Sequence, residues 1–310
     1  MENVKQIDCA SVEELIQNLL GLPRELLTDW IYRGESSARY TLLPSALRKE
    51  GRKKLQLFSR VKNTSDLVYG AAGEEFSAIV GFYERANYQG LYVPHLTTLQ
   101  THHGIIRHTM LDFIKNKKIN PEYYELISLA QHYGIPTRFL DWTHEFYVAF
   151  FFAFRNAIYK IYKNINENKL EGLLSDKIVI WALDRGSLQT KDNPVSLLFI
   201  TPCYNNNPNL TAQKGTFSYH NETIDLSTKT GNLSTQPIDE LIRNISHKYS
   251  HPVLYKFTLP YAQVLEGFVH IIKVGYTYSK IFPGYASICK DLEDRSALIS
   301  IYEALTNTKN

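Results

Sequence analysis

The run Phe146-Tyr-Val-Ala-Phe-Phe-Phe-Ala-Phe154 is apolar at every position. A helix built from it has no face to give to water, so it must be buried on all sides. It is well short of the ~20 residues that span a bilayer, which makes it an interior helix. The stretch leading into it, Gln131-His-Tyr-Gly-Ile-Pro-Thr-Arg-Phe-Leu-Asp-Trp-Thr143, is the densest concentration of polar and aromatic side chains in the chain. Gly134 and Pro136 break the preceding segment, and Asp141 or Thr143 suits the N-cap of the buried helix. Arg138, Asp141, Trp142 and Thr143 would then crowd the positive end of that helix, a place that favours anions. The simpler reading of the spacing is that Arg138 and Asp141 pair with each other and tie the loop down.

The chain has 310 residues, 44% of them hydrophobic, enough for a substantial core in one large domain or two modest ones. A formal net charge of +3 gives no strong field for nucleic acid or acidic lipid. The densest basic stretch, Arg48 to Lys54, reads as a solvated turn between helices. Cys9, Cys203 and Cys289 are far apart, with neither zinc nor redox spacing, which fits a reducing compartment. The first residues lack a basic segment followed by an apolar one, so no leader is expected, and the expected location is cytoplasmic with no membrane partner.

Ser11 and Glu14 read as a capping box before the apolar positions Val12, Leu15, Ile16, Leu19 and Leu20, with Gly21 and Pro23 ending that helix. Trp30 to Gly34 reads as a short strand, and Tyr40 to Ser45 as an extended piece ending in a cap. Gly73 to Asn87 is predicted helical with Phe76, Ile79, Val80 and Tyr83 inward, and Glu74, Glu75, Glu84 and Arg85 solvated. His95, His102, His103 and His108 come next, without a carboxylate at ligand spacing, so no metal is predicted. Pro121 to Ala130 reads as a helix with proline at its start. After the buried helix, Lys160 to Lys169 reads as a polar connector. Lys177 to Leu183 is predicted to be a central strand, Val195 to Ile200 a weaker one, and 205–209 a surface loop. Thr211 to Tyr219 reads as a strand interrupted at Gly215, Ser227 to Pro237 as polar and mobile, and Val253 to Leu259 as a strand ended by Pro260. Helices are expected from Tyr261 and after Pro283-Gly284. With no repeat and no linker, the expected fold is a single α+β domain, a central, mostly antiparallel sheet packed by helices.

Tyr32-Arg33-Gly34 with Leu42-Leu43-Pro44-Ser45 behind it, and Phe82 and Arg85-Ala86 in a helix, resemble the opening of the FRG domain, named for an aromatic-Arg-Gly signature. Ala130 to Thr143, with its Pro-Thr-Arg-x-Leu-Asp-Trp-Thr element, resembles the family's most recognisable block. Val179 to Leu183, Gln213-Lys-Gly-Thr-Phe217 and Ile281-Phe-Pro283 resemble its later elements. Phe139 and Lys214 depart from the family's more frequent leucine and glutamine. The resemblance implies a division into an N-terminal helix (1–29), the FRG domain (30–295) and a C-terminal tail (296–310). It also implies a mainly bacterial family, sometimes set in conflict with phage.

Arg33, at a strand end beside a glycine that lets a ligand approach, is a candidate bidentate clamp for phosphate, and Arg138 a second; each reads equally as a structural salt bridge. Tyr32, Tyr133 and Trp142 offer stacking surfaces or core packing. His132 is a candidate acid or base, or a satisfied core histidine. Asp141 is a candidate base or orienting group, and Gln213 a partner for an amide or ribose hydroxyl. The residues expected to act are therefore Arg33, His132, Arg138, Asp141 and Gln213. Those expected to bind are Tyr32, Arg33, Gly34, Tyr133, Arg138, Trp142 and Thr143. Tyr-Arg-Gly on an early strand also resembles the NAD-binding strand of ADP-ribosyltransferases. That implies an ADP-ribosyltransferase-like fold, NAD as cofactor or substrate, and ADP-ribosyl transfer or NAD hydrolysis. Leu233-Ser234-Thr235 echoes the Ser-Thr-Ser strand of one transferase class. Two other readings stand: a non-catalytic nucleotide or nucleic-acid sensor, and a metal-assisted hydrolase using Asp141 with His132 or His144.

Overall fold

The computed structural model describes residues 2–59, 71–96, 99, 119–166, 175–189, 195–204, 207–220, 224–225, 232–233, 236–247 and 249–307. His102, His103, His108, Ser234 and Thr235 lie outside the described residues.

Seven strands form one open sheet in the order β1 (Val4–Asp8), β9 (Leu254–Pro260), β4 (Lys177–Asp184), β2 (Trp30–Glu35), β3 (Leu140–Thr143), β6 (Gly215–His220) and β5 (Leu197–Ile200). Only β1 and β9 run parallel; the other pairs are antiparallel. Two short strands, β7 (Ile224–Asp225) and β8 (Asn232–Leu233), pair separately. The alternation of β4 divides the interior. Ile178, Ile180 and Ala182 pack in one core with the long helix α5 (Phe146–Asn166), while Val179, Trp181 and Leu183 belong to a second core with Ile238 and Ile242 of α8 (Ile238–Arg243). A third core lies under α3 (Ala71–Tyr88) and α4 (Tyr124–His132), where Phe76 and Ile127 meet Phe139, Phe217 and Tyr219.

The apolar run fills α5 as its composition dictates. α5 lies against β2 so closely that a Cβ on Gly34 would come 1.8 Å from the carbonyl oxygen of Ala149. A helix backbone packing on it is thus enough to require glycine at position 34. α9 (Val264–Lys273) and α11 (Tyr285–Asn307) cover α5 from the other side. Between α9 and α11 sits the short helix α10 (Tyr278–Ile281), capped by Thr277. α11 continues past residue 295 and buries Ala297 and Ile301 in the core. α1 (Val12–Leu20) is capped by Ser11, whose hydroxyl accepts from the Glu14 backbone N–H at 3.2 Å. Leu20 falls off its buried stripe and is exposed.

Several local expectations are corrected. Arg48 to Lys54 is no turn: Lys49–Phe58 is helical (α2). Lys160 to Asn166 are not a connector but the last turns of α5, because Ile161 still reaches the core, and 167–169 lie outside the described residues. In the 205–209 loop, Asn207 instead caps a short helix, α7 (Pro208–Gln213), which ends at Lys214 in the left-handed conformation. The predicted strand thus starts only at Gly215. Asp184 ends β4 by capping α6 (Arg185–Leu188). Glu74 and Glu75 are buried rather than solvated, each facing an arginine: Arg52 for Glu74 and Arg138 for Glu75.

Candidate functional site

A cleft of about 330 Å³ opens where β2, β3, the end of α4 and the start of α5 meet α7 and the turn after α10. Its size is near the lower end of the roughly 300–1,000 Å³ of small-molecule sites. Of the residues expected from sequence, Tyr32, Arg33, Gly34, His132, Asp141, Trp142, Thr143 and Gln213 line it. Two others do not. Arg138 is fully buried, its Nε donating to Glu75 at 2.5 Å and its guanidinium 5.5 Å from the ring of Tyr219. The expected pairing of Arg138 with Asp141, and the two-arginine cradle, are both replaced by this internal pair: Arg138 sits in the bend before β3, where Glu75 of α3 takes both its backbone N–H and its Nε. Tyr133 is exposed and stacks on Phe82, away from the lining.

Arg33 is the centre of the polar lining. Its Nε and Nη2 donate to Glu35 Oε1 at 3.1 and 2.5 Å, and its Nη1 donates to the backbone carbonyl of Asp141 at 2.9 Å. The Asp141 carboxylate lies 3.6 Å from the same Nη1. Glu35 is a site residue that sequence reasoning missed. Its signal was there: two positions on from Arg33 along one strand puts both side chains on the same face. Burial opposes the charge on Glu35, but Arg33 and Arg48 outweigh it and hold its carboxyl below the ordinary range. Gln131, which the sequence motif contains but leaves without a role, donates to Asp141 Oδ1 at 2.5 Å and accepts from the Thr137 hydroxyl. It therefore fixes the orientation of a carboxylate that is itself well exposed.

Thr143 ends β3 three residues before α5, whose first turn hangs on the Glu145 carbonyl, so Thr143 is not itself the N-cap. Its hydroxyl accepts from the Glu145 backbone N–H at 3.0 Å and donates to the carbonyl of Gln213 at 2.7 Å, stitching α7 to the helix start. Asp141, in the middle of β3, is not the cap. Trp142 is buried, its indole N–H donating to Ser218 at 2.8 Å. The Gln213 amide reaches the Ile281 carbonyl at 3.4 Å. His132 Nε2 lies 2.6 Å from the Asn209 amide, and burial lowers its pKa despite the opposing pull of Asp141. The Asn209 amide nitrogen can only donate, so Nε2 is the accepting nitrogen of a neutral ring and Nδ1 carries its proton. Tyr32 stays a phenol, its pKa pushed up to about 12 by burial. Phe152 and Phe282, edge to face with centroids 6.0 Å apart, add an aromatic side. Arg33, Glu35 and Asp141 are the charged groups of the lining, and Arg48 reaches Glu35 from outside it at 3.5 Å, so the two carboxylates face two guanidinium groups.

Residues 28–160 match the FRG domain family. The chain contains an FRG domain. No curated protein and no solved structure matches it. The FRG match ends within α5, while Gln213, Thr216 and Phe282 reach the FRG cleft from chain beyond it. Among the described residues no three His, Cys, Asp or Glu side chains gather as a metal-binding group, and His144 turns to Asp29 at 3.7 Å rather than into the cleft. Among the same residues no helix is long and apolar enough to cross a membrane.

Proposed function

We propose that the FRG-domain cleft binds the nicotinamide-ribose end of NAD and catalyses loss of nicotinamide, passing the ADP-ribosyl group to water or to an acceptor. The observation that carries this is the pair of carboxylates, Glu35 and Asp141, set on either side of Arg33 inside a cleft with aromatic sides, with Glu35 also paired to Arg48 and Asp141 left largely open. The nicotinamide ring of NAD is cationic and suits the open Asp141 carboxylate. As the bond from ribose C1 to the ring nitrogen breaks, its electron pair returns to nicotinamide and positive charge develops at C1. Carboxylates fixed in place beforehand stabilise such charge. Water then adds at C1, and its proton passes to the open Asp141 carboxylate. Tyr32, Phe152 and Phe282 flank the planar ring, and the Gln213 amide serves a ribose hydroxyl or the carboxamide. The cleft takes one half of the dinucleotide, with the adenylate end directed outward. In the bacterial conflict with phage that the resemblance implies, depletion of NAD would be the output.

Incubation with NAD and chromatography of released nicotinamide tests this, with Arg33→Ala and Asp141→Asn as controls. Neither turnover nor binding by the wild-type protein would remove the reading. A second reading, a non-catalytic nucleotide sensor, draws on the commitment of Arg33: Nε, Nη1 and Nη2 all donate within the protein, as expected of a positioning group. A melting shift with NAD or another nucleotide, without turnover, would favour it.

A further inference from the structure

The outer face of α11 carries Tyr285, Ile288, Leu292, Arg295, Ile299 and Tyr302, all exposed, with Tyr285 at 93% and Tyr302 at 64%. Their spacing alternates three and four residues, so they form one stripe along the helix, opposite the buried Asp294, Ala297 and Ile301. The outer pairs of the stripe are like for like, Tyr285 with Tyr302 and Ile288 with Ile299, while the central Leu292 and Arg295 differ, and all three pairs lie symmetrically about a point between residues 293 and 294. Two copies of this helix laid antiparallel about a two-fold axis at that point put every stripe residue opposite a stripe residue of the other copy.

We propose that α11 is a homodimer interface, pairing antiparallel with α11 of a second copy of this chain. Tyr285 then lies opposite the partner's Tyr302, and Ile288 opposite the partner's Ile299. At the centre each Arg295 covers the partner's Leu292 with its aliphatic stem and brings its guanidinium beside the partner's Asp291, one position away. Ten large apolar side chains and two arginine stems, five and one from each copy, meet over about 27 Å of helix. That puts the buried area near the low end of the roughly 1,200–2,000 Å² of specific interfaces. The pairing is therefore reversible and concentration-dependent.

Sedimentation equilibrium of the full chain from about 1 to 100 µM tests the proposal. The expected result is a mass rising towards twice 35.7 kDa, and a loss of that rise in Ile288→Glu/Ile299→Glu. The variant positions are exposed, so its circular dichroism and melting should match wild type. Orientation is read by disulfide trapping in a Cys203→Ser/Cys289→Ser background. Mixing Tyr285→Cys with Tyr302→Cys protein should give the mixed cross-link and little of either homodimer cross-link. A monomer at every concentration, a dimer untouched by the double glutamate variant, or cross-linking of Tyr285→Cys to itself would each overturn it.

Discussion

Arg138 Nε and Glu75 Oε2 lie 2.5 Å apart, and neither side chain reaches solvent. Glu75 also accepts from the Arg138 backbone N–H at 2.8 Å. The pair fastens α3 to the segment entering β3, and so sets the height of Asp141 at the cleft. An isolated charge left there has no water to solvate it. Glu75→Ala should therefore cost about 3–5 kcal/mol in chemical denaturation. Replacing both partners, as Glu75→Leu/Arg138→Met, should recover most of that loss. Equal destabilisation by the single and double variants would contradict the account.

Asp141→Asn separates site from scaffold. The side chain is 61% exposed, so its removal as a charge should leave stability within about 0.5 kcal/mol. Nicotinamide release should fall by about 10²-fold, mostly in kcat, because the carboxylate is proposed to act on charge that develops in the reaction. A change confined to KM would show that Asp141 only binds.

Gly34→Ala should destabilise by about 3 kcal/mol, since the new methyl meets the Ala149 carbonyl and α5 cannot retreat without opening the core it shares with β4. Thermal melting measures this. Near-wild-type stability with altered ligand affinity would restore the ligand-approach reading of the glycine.

Acidification should weaken the fold through histidine. Burial lowers the folded-state pKa of both His132 and His144 from the ordinary 6.5. The unfolded chain then takes up protons first as pH falls through that value. Their contribution is fully present above about pH 6.5 and is lost as pH drops through the folded values. Denaturation midpoints measured from pH 7.5 to 5 should decline in wild type, and less steeply in His132→Gln/His144→Gln.

Local pattern settled much of this protein before any coordinates. The apolar run from Phe146 could only be an interior helix, and the β-branched Lys177–Asp184 could only be a buried strand, because each buries or exposes its residues by a fixed period. The motif from Gln131 to Thr143 marked one wall of the cleft for the same reason: it joins a helix end, a strand and a helix start. Sequence could not say which way a charged side chain turns. Arg33 and Arg138 look equivalent in the chain, yet one lines the cleft beside Glu35 and the other closes on Glu75 sixty-three positions away. Nor could it assign Gly34 to helix packing or bring Gln213 and Phe282 to the cleft. Those depend on which distant backbones come within van der Waals or hydrogen-bond reach, and only the packing of α5 against the sheet fixes that.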